Sequence, residues 1–278
     1  MIRFIAVLIV VTVLTLLLLP LQLLAIAFNL RLQRSLPHLF HRIVCALFGV
    51  RIRQVGTRTM DSPVLILSNH VSWLDICVIG ALNPVVFIAK SEVARWPVFG
   101  FLSKLQRTIF IDRQARHKTG AATREIGDRL LGGDAVVLFA EGTSSDGIRI
   151  LPFRSALVGA VHHALGSSTH HKSIIVQPMS LAYVRVDGLP VGRAFRERVA
   201  WYGDADLIPH FIGVLASGAI DITVSWGDAV AYDMSADRKQ IARDAELAVR
   251  RMTTAALRAG APKQAPVATV DPQPLPAA

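Results

Sequence analysis

The chain has 278 residues, two cysteines and a formal net charge of +10 at pH 7, from 30 Lys and Arg against 20 Asp and Glu. Two cysteines, Cys45 and Cys77, each in an apolar helical context, argue against a disulfide framework or a thiolate zinc site. The basic residues are not interleaved with aromatics and no nucleic-acid-binding motif is present, so an anionic lipid surface is the better partner for the charge.

In chain order, Ile2 to Phe28 is almost continuously apolar, with Arg3 its only charge. At 1.5 Å per residue the run is long enough to cross about 30 Å of hydrocarbon. Pro20 is tolerated in such a helix where neighbours or water satisfy the freed carbonyl. No acid precedes Asp61, whereas Arg31, Arg34, Arg42, Arg51, Arg53 and Arg58 follow the run. That excess directs the following chain toward the cytoplasmic face, whether the run spans the bilayer or lies in its interface. A secretory signal is the rival reading, since Ala25-Ile26-Ala27 fits a small-residue cleavage site, but the run exceeds the usual h-region and the arginine cluster would hinder export. Ser35 to Leu47 carries apolar residues at helical spacing, with Gly49 as C-cap, and reads as an interfacial helix folding back beside the first; an ordinary core helix fits the same pattern.

Beyond residue 60, strands are predicted at Val64–Leu67, Val85–Ala89, Thr108–Ile111, Ala135–Phe139, Ser173–Val176, Val199–Tyr202 and Ile220–Ser225. Helices are predicted at Trp73–Leu82, Val98–Leu105, Thr119–Leu131, Ala156–Leu165, Leu207–Leu215 and Ala236–Arg258, the last capped by Ser235 and the one before it by Asp204 or Asp206. The alternation predicts an α/β domain, a mixed sheet flanked by helices, behind an N-terminal membrane-associated helical segment. The organisation is therefore a membrane anchor and interfacial helix over 1–60, the α/β domain over 61–260 and a disordered Pro-rich tail over 261–278.

The chemistry is concentrated in Ser68-Asn69-His70-Val71-Ser72-Trp73-Leu74-Asp75, directly after an apolar strand. Inside one regular helix, residues five apart point about 140° away from each other. A His–Asp pair at this spacing therefore needs a corner, with His70 at or before the helix start, where Asn69 and Ser72 are natural N-terminal residues. There Asp75 can hold one ring nitrogen and leave the other free to take a proton from a hydroxyl. Three further segments follow: Phe110-Ile111-Asp112-Arg113, Phe139-Ala140-Glu141-Gly142-Thr143 and Val176-Gln177-Pro178.

In this order the four segments resemble the blocks of the glycerolipid acyltransferase family, over about Val64 to Trp226. The resemblance implies transfer of a fatty acyl chain from acyl-CoA or acyl carrier protein to a lysolipid hydroxyl, without cofactor, metal or covalent enzyme intermediate. It implies that His70 is the base and Asp75 its orienting partner. Arg113 matches a phosphate-binding arginine, and Glu141, Gly142 and Thr143 match the block assigned to acceptor binding. Taken alone, Glu141-Gly142-Thr143 reads as a turn. The usual third block is Pro-Glu-Gly-Thr-Arg, whereas Ala140 and Ser144 stand here in place of the Pro and Arg. Arg154, just downstream with Arg149, falls near a basic position of the family and would replace the missing charge.

The main expectation is acylation of 1-acyl-sn-glycerol-3-phosphate to phosphatidic acid. The run Glu141 to Gly147 followed by Leu151-Pro152-Phe153-Arg154-Ser155 also looks like the branch that acylates lyso-ornithine lipid, whose headgroup has a carboxylate and no phosphate. Trp201-Tyr202-Gly203-Asp204 resembles a segment of that branch and is assigned no chemistry. From other classes, an acyl thioesterase and a catalytically silent lipid-binding protein remain as alternatives. His162-His163 and His170-His171 read as background, because adjacent helical side chains diverge. Ser144 and Ser145 stand in no nucleophile-elbow motif.

Overall fold

The strands that carry the site alternate between two faces, and both faces are apolar. In the computed structural model, which describes residues 2–61, 63–112, 119–156, 158–159, 165–166 and 172–260, β2 (Val64–Ser68) sends Val64 and Ile66 into one core cluster and Leu65 and Leu67 into another. β5 (Ala135–Phe139) divides likewise, Val137 to one side and Val136 and Leu138 to the other. A strand buried on both faces must sit inside a sheet covered by helices on each side. The first face packs against α2 (Leu32–Phe48), α3 (Leu74–Leu82) and α6 (Leu207–Ala216); the second packs against α5 (Thr119–Leu131) and α7 (Arg238–Ala259).

With β1 (Val50–Val55), β3 (Val86–Lys90), β4 (Ile109–Ile111), β6 (Ile174–Val186) and β8 (Ile220–Trp226), the sheet runs in the order β1-β8-β6-β2-β5-β3-β4. Strands β6, β2, β5, β3 and β4 are parallel; β8 is antiparallel to β6 and parallel to β1. Short strands β7 (Leu189–Pro190) and β9 (Val230–Tyr232) pair with β6, and a short helix, α4 (Phe99–Leu105), leads into β4. This is the mixed α/β sheet expected.

Several local expectations differ. β6 runs to Val186, ten residues past the expected end, because Pro178 faces Leu67 in the register and the chain then continues antiparallel to β8. β1 is absent from the sequence reading: Arg51 and Arg53 alternate outward, so the strand has no apolar run to announce it. Val199–Tyr202 is not a strand; it leaves a short 3-10 turn (Arg193–Arg198) and enters a loop. The cap of α7 is Asp237, which accepts the Lys239 N–H at 2.9 Å, whereas the N–H and hydroxyl of Ser235 donate to Asp233. Asp206 holds the cap position of α6 without a side-chain bond. The predicted helix at Ala156–Leu165 falls largely outside the described residues, as do the four histidines at 162, 163, 170 and 171 and the tail.

The N-terminal helix α1 (Ile2–Ala27) is long and apolar enough to cross a membrane. It lies along the domain and is tied at both ends. The Arg3 guanidinium donates to the carbonyls of Leu215 and Phe48, each at 3.1 Å, and Gln22 donates to those of Gln33 and Leu105. Its outer side, with Ile9, Leu16 and Leu17, stays exposed. Of the α2 stripe, Leu36 and Val44 are buried with Cys45 and Phe48 toward α3 and the sheet, as in a core helix, Phe40, Ile43 and Leu47 are half-buried, and Leu39 stays exposed. Gly49 ends it at φ 75°, where a Cβ would lie 2.8 Å from the Gly218 carbonyl. Both cysteines are free, and burial holds their thiols well above the ordinary range.

His41 in α2 is buried, with Nε2 at 2.8 Å from the Gln106 side-chain oxygen. Burial, opposed by that hydrogen bond, depresses its pKa from 6.5 to about 4. Between these values the unfolded chain binds a proton that the native protein does not, so stability present above pH 6.5 is lost as the pH falls toward 4. Of that loss, about 2 kcal/mol is expected by pH 5. Melting of His41→Gln in detergent between pH 4.5 and 7.5 should show a shallower decline than the parent; parallel curves would refute the assignment.

Candidate active site

β2 lies between β6 and β5, and its C-terminal end opens at one edge of the sheet, where side chains from neighbouring strands converge. Asn69 is the first fastening. Its side-chain oxygen accepts the Leu181 N–H at 2.8 Å and its amide donates to the Leu181 carbonyl at 2.9 Å, fixing the corner to β6. Ser72 stands at the start of α3 as expected, its hydroxyl accepting the Leu74 N–H at 3.4 Å, whereas the Asn69 side chain is committed to Leu181. Asp75, in the first turn, reaches back in reciprocal fashion: Oδ2 accepts the N–H groups of Val71 at 2.6 Å and Ser72 at 3.0 Å. That reversal bends the chain so that His70, outside the helix, meets Asp75 despite their spacing.

His70 Nδ1 lies 2.8 Å from the same Asp75 Oδ2. A carboxylate that already accepts two backbone amides takes a third donor there, so the imidazole carries its proton on Nδ1 and its lone pair on Nε2. The ring stacks on Phe139 with centroids 4.0 Å apart and planes 18° from parallel. Asp75 is fully buried, while 19% of the His70 side chain is exposed. One nitrogen is thus held by the interior, and the ring as a whole retains access from outside.

The other Asp75 oxygen accepts the hydroxyl of Tyr183 at 2.7 Å. Burial, then the neighbouring Asp75 charge, pushes the Tyr183 hydroxyl well above its ordinary pKa, so it stays a donor. Tyr183 was missed in the sequence. The available signal was a tyrosine inside an otherwise apolar strand, since a buried phenol requires a polar partner.

The third segment wraps this corner. Ala140 donates to the Ser68 carbonyl at 3.0 Å, Ser145 to the His70 carbonyl at 2.8 Å, and Arg154 returns to donate its N–H to the Ala140 carbonyl at 2.8 Å. Gly142 turns the chain at φ 77°. Gly147, at φ 68°, sits so close that a Cβ would lie 2.9 Å from both γ-methyls of Val71.

Glu141 is 1% exposed, and its two oxygens accept the N–H groups of His70 at 2.9 Å and Leu151 at 3.0 Å. Burial raises its pKa, against the opposing pull of those amides. Its carboxylate is therefore committed to holding the loop around His70, and the exposed polar members of the segment are Thr143, Arg149 and Arg154.

Gln177 is buried and joins three segments, donating to the carbonyls of Thr57 and Gly227 and accepting the Thr59 N–H. Arg113 lies outside the described residues. The strand that leads to it, β4, is three strands from β2, about 14 Å across the sheet. Among the described residues no three His, Cys, Asp or Glu come together as a metal group.

Comparison with known proteins places this architecture. The sequence profile of the family described as Acyltransferase matches residues 49–182. The protein named lyso-ornithine lipid O-acyltransferase from Brucella abortus (strain 2308) is 50% identical over 244 residues, covering 88% of this chain and 91% of that protein. The 1-acyl-sn-glycerol-3-phosphate acyltransferase of Neisseria gonorrhoeae is 40% identical over 106 residues, covering 37% of this chain and 42% of its own. The crystal structure of the 1-acyl-sn-glycerophosphate acyltransferase PlsC from Thermotoga maritima shares the fold, with a TM-score of 0.59 at 17% identity, covering 94% of this chain and all of that one.

Proposed function

Because this chain belongs to the acyltransferase family, we propose that it moves a fatty acyl group from a thioester donor, acyl-CoA or acyl carrier protein, to the free hydroxyl of a lysolipid, with lyso-ornithine lipid as the acceptor. The observation that carries the chemistry is the 2.8 Å contact of His70 Nδ1 with the buried Asp75. Nε2 accepts the proton of the acceptor hydroxyl as its oxygen attacks the thioester carbonyl. The imidazolium that forms is stabilised by Asp75 and returns the proton to the departing thiolate. Asp75 is kept in place by two backbone amides and Tyr183, and Glu141 positions the loop that carries Thr143 and Arg154.

The acceptor assignment draws on the relative that spans most of both chains and bears the lyso-ornithine name. It also accords with Ser144, which offers no charge where a phosphate-binding arginine is usual. Lysophosphatidic acid is the second reading, favoured by the Neisseria relative, with Arg113 and Arg154 as the anion-binding residues. The exposed side of α1 and the nearby exposed Val98, Phe101, Ile208 and Ile212 support membrane attachment, with the domain on the cytoplasmic face.

The test is acyl transfer by detergent-purified protein given a labelled donor with either lysolipid. Labelled ornithine lipid is expected. Labelled phosphatidic acid alone would overturn the ornithine assignment, and free fatty acid release independent of acceptor would identify a thioesterase.

A further inference from the structure

A second site lies at the opposite end of the sheet. The parallel strands begin there, with Val86 of β3 and Ala135 of β5 in its wall, about 16 Å of strand away from the corner that holds His70. It is a cavity of about 430 Å³, and its lining includes Arg31, Arg34, Arg58, Arg107 and His38 against one acid, Asp134.

That acid is already engaged. Arg107 grips Asp134 with two nitrogens at 2.8 and 3.2 Å, and Arg34 Nε reaches it at 3.0 Å. Arg34 also donates to the Gly132 carbonyl at 2.9 Å, and His38 Nδ1 lies 2.8 Å from the Gly80 carbonyl. Four guanidinium groups against one carboxylate leave an excess of positive charge in a concave site. Arg58 bonds the Asn83 side chain through one nitrogen, but its Nε is buried with no hydrogen-bond partner. Burial lowers the Arg58 pKa, so holding the guanidinium there costs free energy that an anion would recover. Arg31 is exposed at the mouth.

The surroundings indicate where such an anion comes from. Phe28, Leu30 and Leu32 are 71%, 48% and 41% exposed and alternate with Arg31 at the end of the apolar α1. Apolar side chains that enter the bilayer edge would set the adjacent guanidinium groups at the level of lipid phosphates. We propose that this cavity binds a phosphate group, as the diester of an anionic phospholipid headgroup, and that it is separate from the acceptor site at His70. The lipid origin rests on the membrane attachment proposed above, whereas the affinity for phosphate does not.

The test uses the full chain in non-ionic detergent, and measures binding of dihexanoyl-phosphatidylglycerol, dihexanoyl-phosphatidylcholine and inorganic phosphate through the melting temperature. Arg31→Gln and Arg58→Gln are the variants, because Arg34 and Arg107 also hold Asp134. Saturable stabilisation by the glycerol lipid, weakened about tenfold by each substitution and reduced by salt, is expected. Acyl transfer from a soluble donor at saturating acceptor should survive both substitutions, which separates this site from His70. Equal stabilisation by the choline lipid, or unchanged affinity in the double variant, would overturn the site. Binding of inorganic phosphate that the glycerol lipid does not displace would overturn the lipid origin alone.

Discussion

His70→Ala is expected to lower acyl transfer by about 10³-fold, the middle of the range that a positioned general base supplies. Truncation removes Nε2, the nitrogen left free for the acceptor proton, and also the ring that stacks on Phe139. It leaves the scaffold intact, because the contacts that hold the loop at this residue are main-chain ones: the His70 N–H donates to Glu141 and its carbonyl accepts from Ser145. Melting temperature and recovery in the membrane fraction should therefore match the parent. Turnover within tenfold of the parent, at equal protein and saturating donor, would remove His70 from the base role.

Asp75→Asn comes second, and here the hydrogen-bond pattern decides the outcome. Oδ2 accepts three donors, and Oδ1 meets a hydroxyl that can turn to accept. The asparagine oxygen consequently takes the first position and its amide nitrogen faces Tyr183. His70 keeps its proton on Nδ1, so at the imidazole the substitution removes charge and little else. A carboxylate and an imidazolium about 4 Å apart attract by about 4 kcal/mol at an effective dielectric of 20, which sets the expected loss in kcat near 10³-fold. Folding should lose about 1–3 kcal/mol, because the buried Tyr183 hydroxyl gives up its acceptor. Asp75→Ala is different, because it strands two buried amides and a buried phenol, at about 1–3 kcal/mol each. A kcat for Asp75→Asn within threefold of the parent would show that its charge does not stabilise the imidazolium.

Glu141 shows how a residue type can be visible while its task is hidden. Its place in a Glu-Gly-Thr segment after a strand was legible, and so was its association with His70 in one pattern. That its oxygens would face the amides of His70 and Leu151, rather than outward, depended on the loop returning so that Arg154 bonds Ala140. Similarly, the apolar stripe of α2 was clear from its spacing, but periodicity states only that a face is buried and not against what. The domain, through α3, took that face, and the outer side of α1 was left exposed.

By itself the sequence determined the elements whose cause is local: the doubly buried strands from their continuous apolar runs, α5 and α6 from their periodicity, the length of α1, and the pairing of His70 with Asp75 from their place at a strand-to-helix corner. Tertiary structure decided what depends on distant partners. Tyr183 reaches Asp75 across 108 residues of chain, Asn69 reaches Leu181 across 112, and Arg34 and Arg107 converge on Asp134 from separate elements. A local pattern records which side chains need burial or a partner. Only the closed sheet, by bringing strand ends together, determines which partner each one finds.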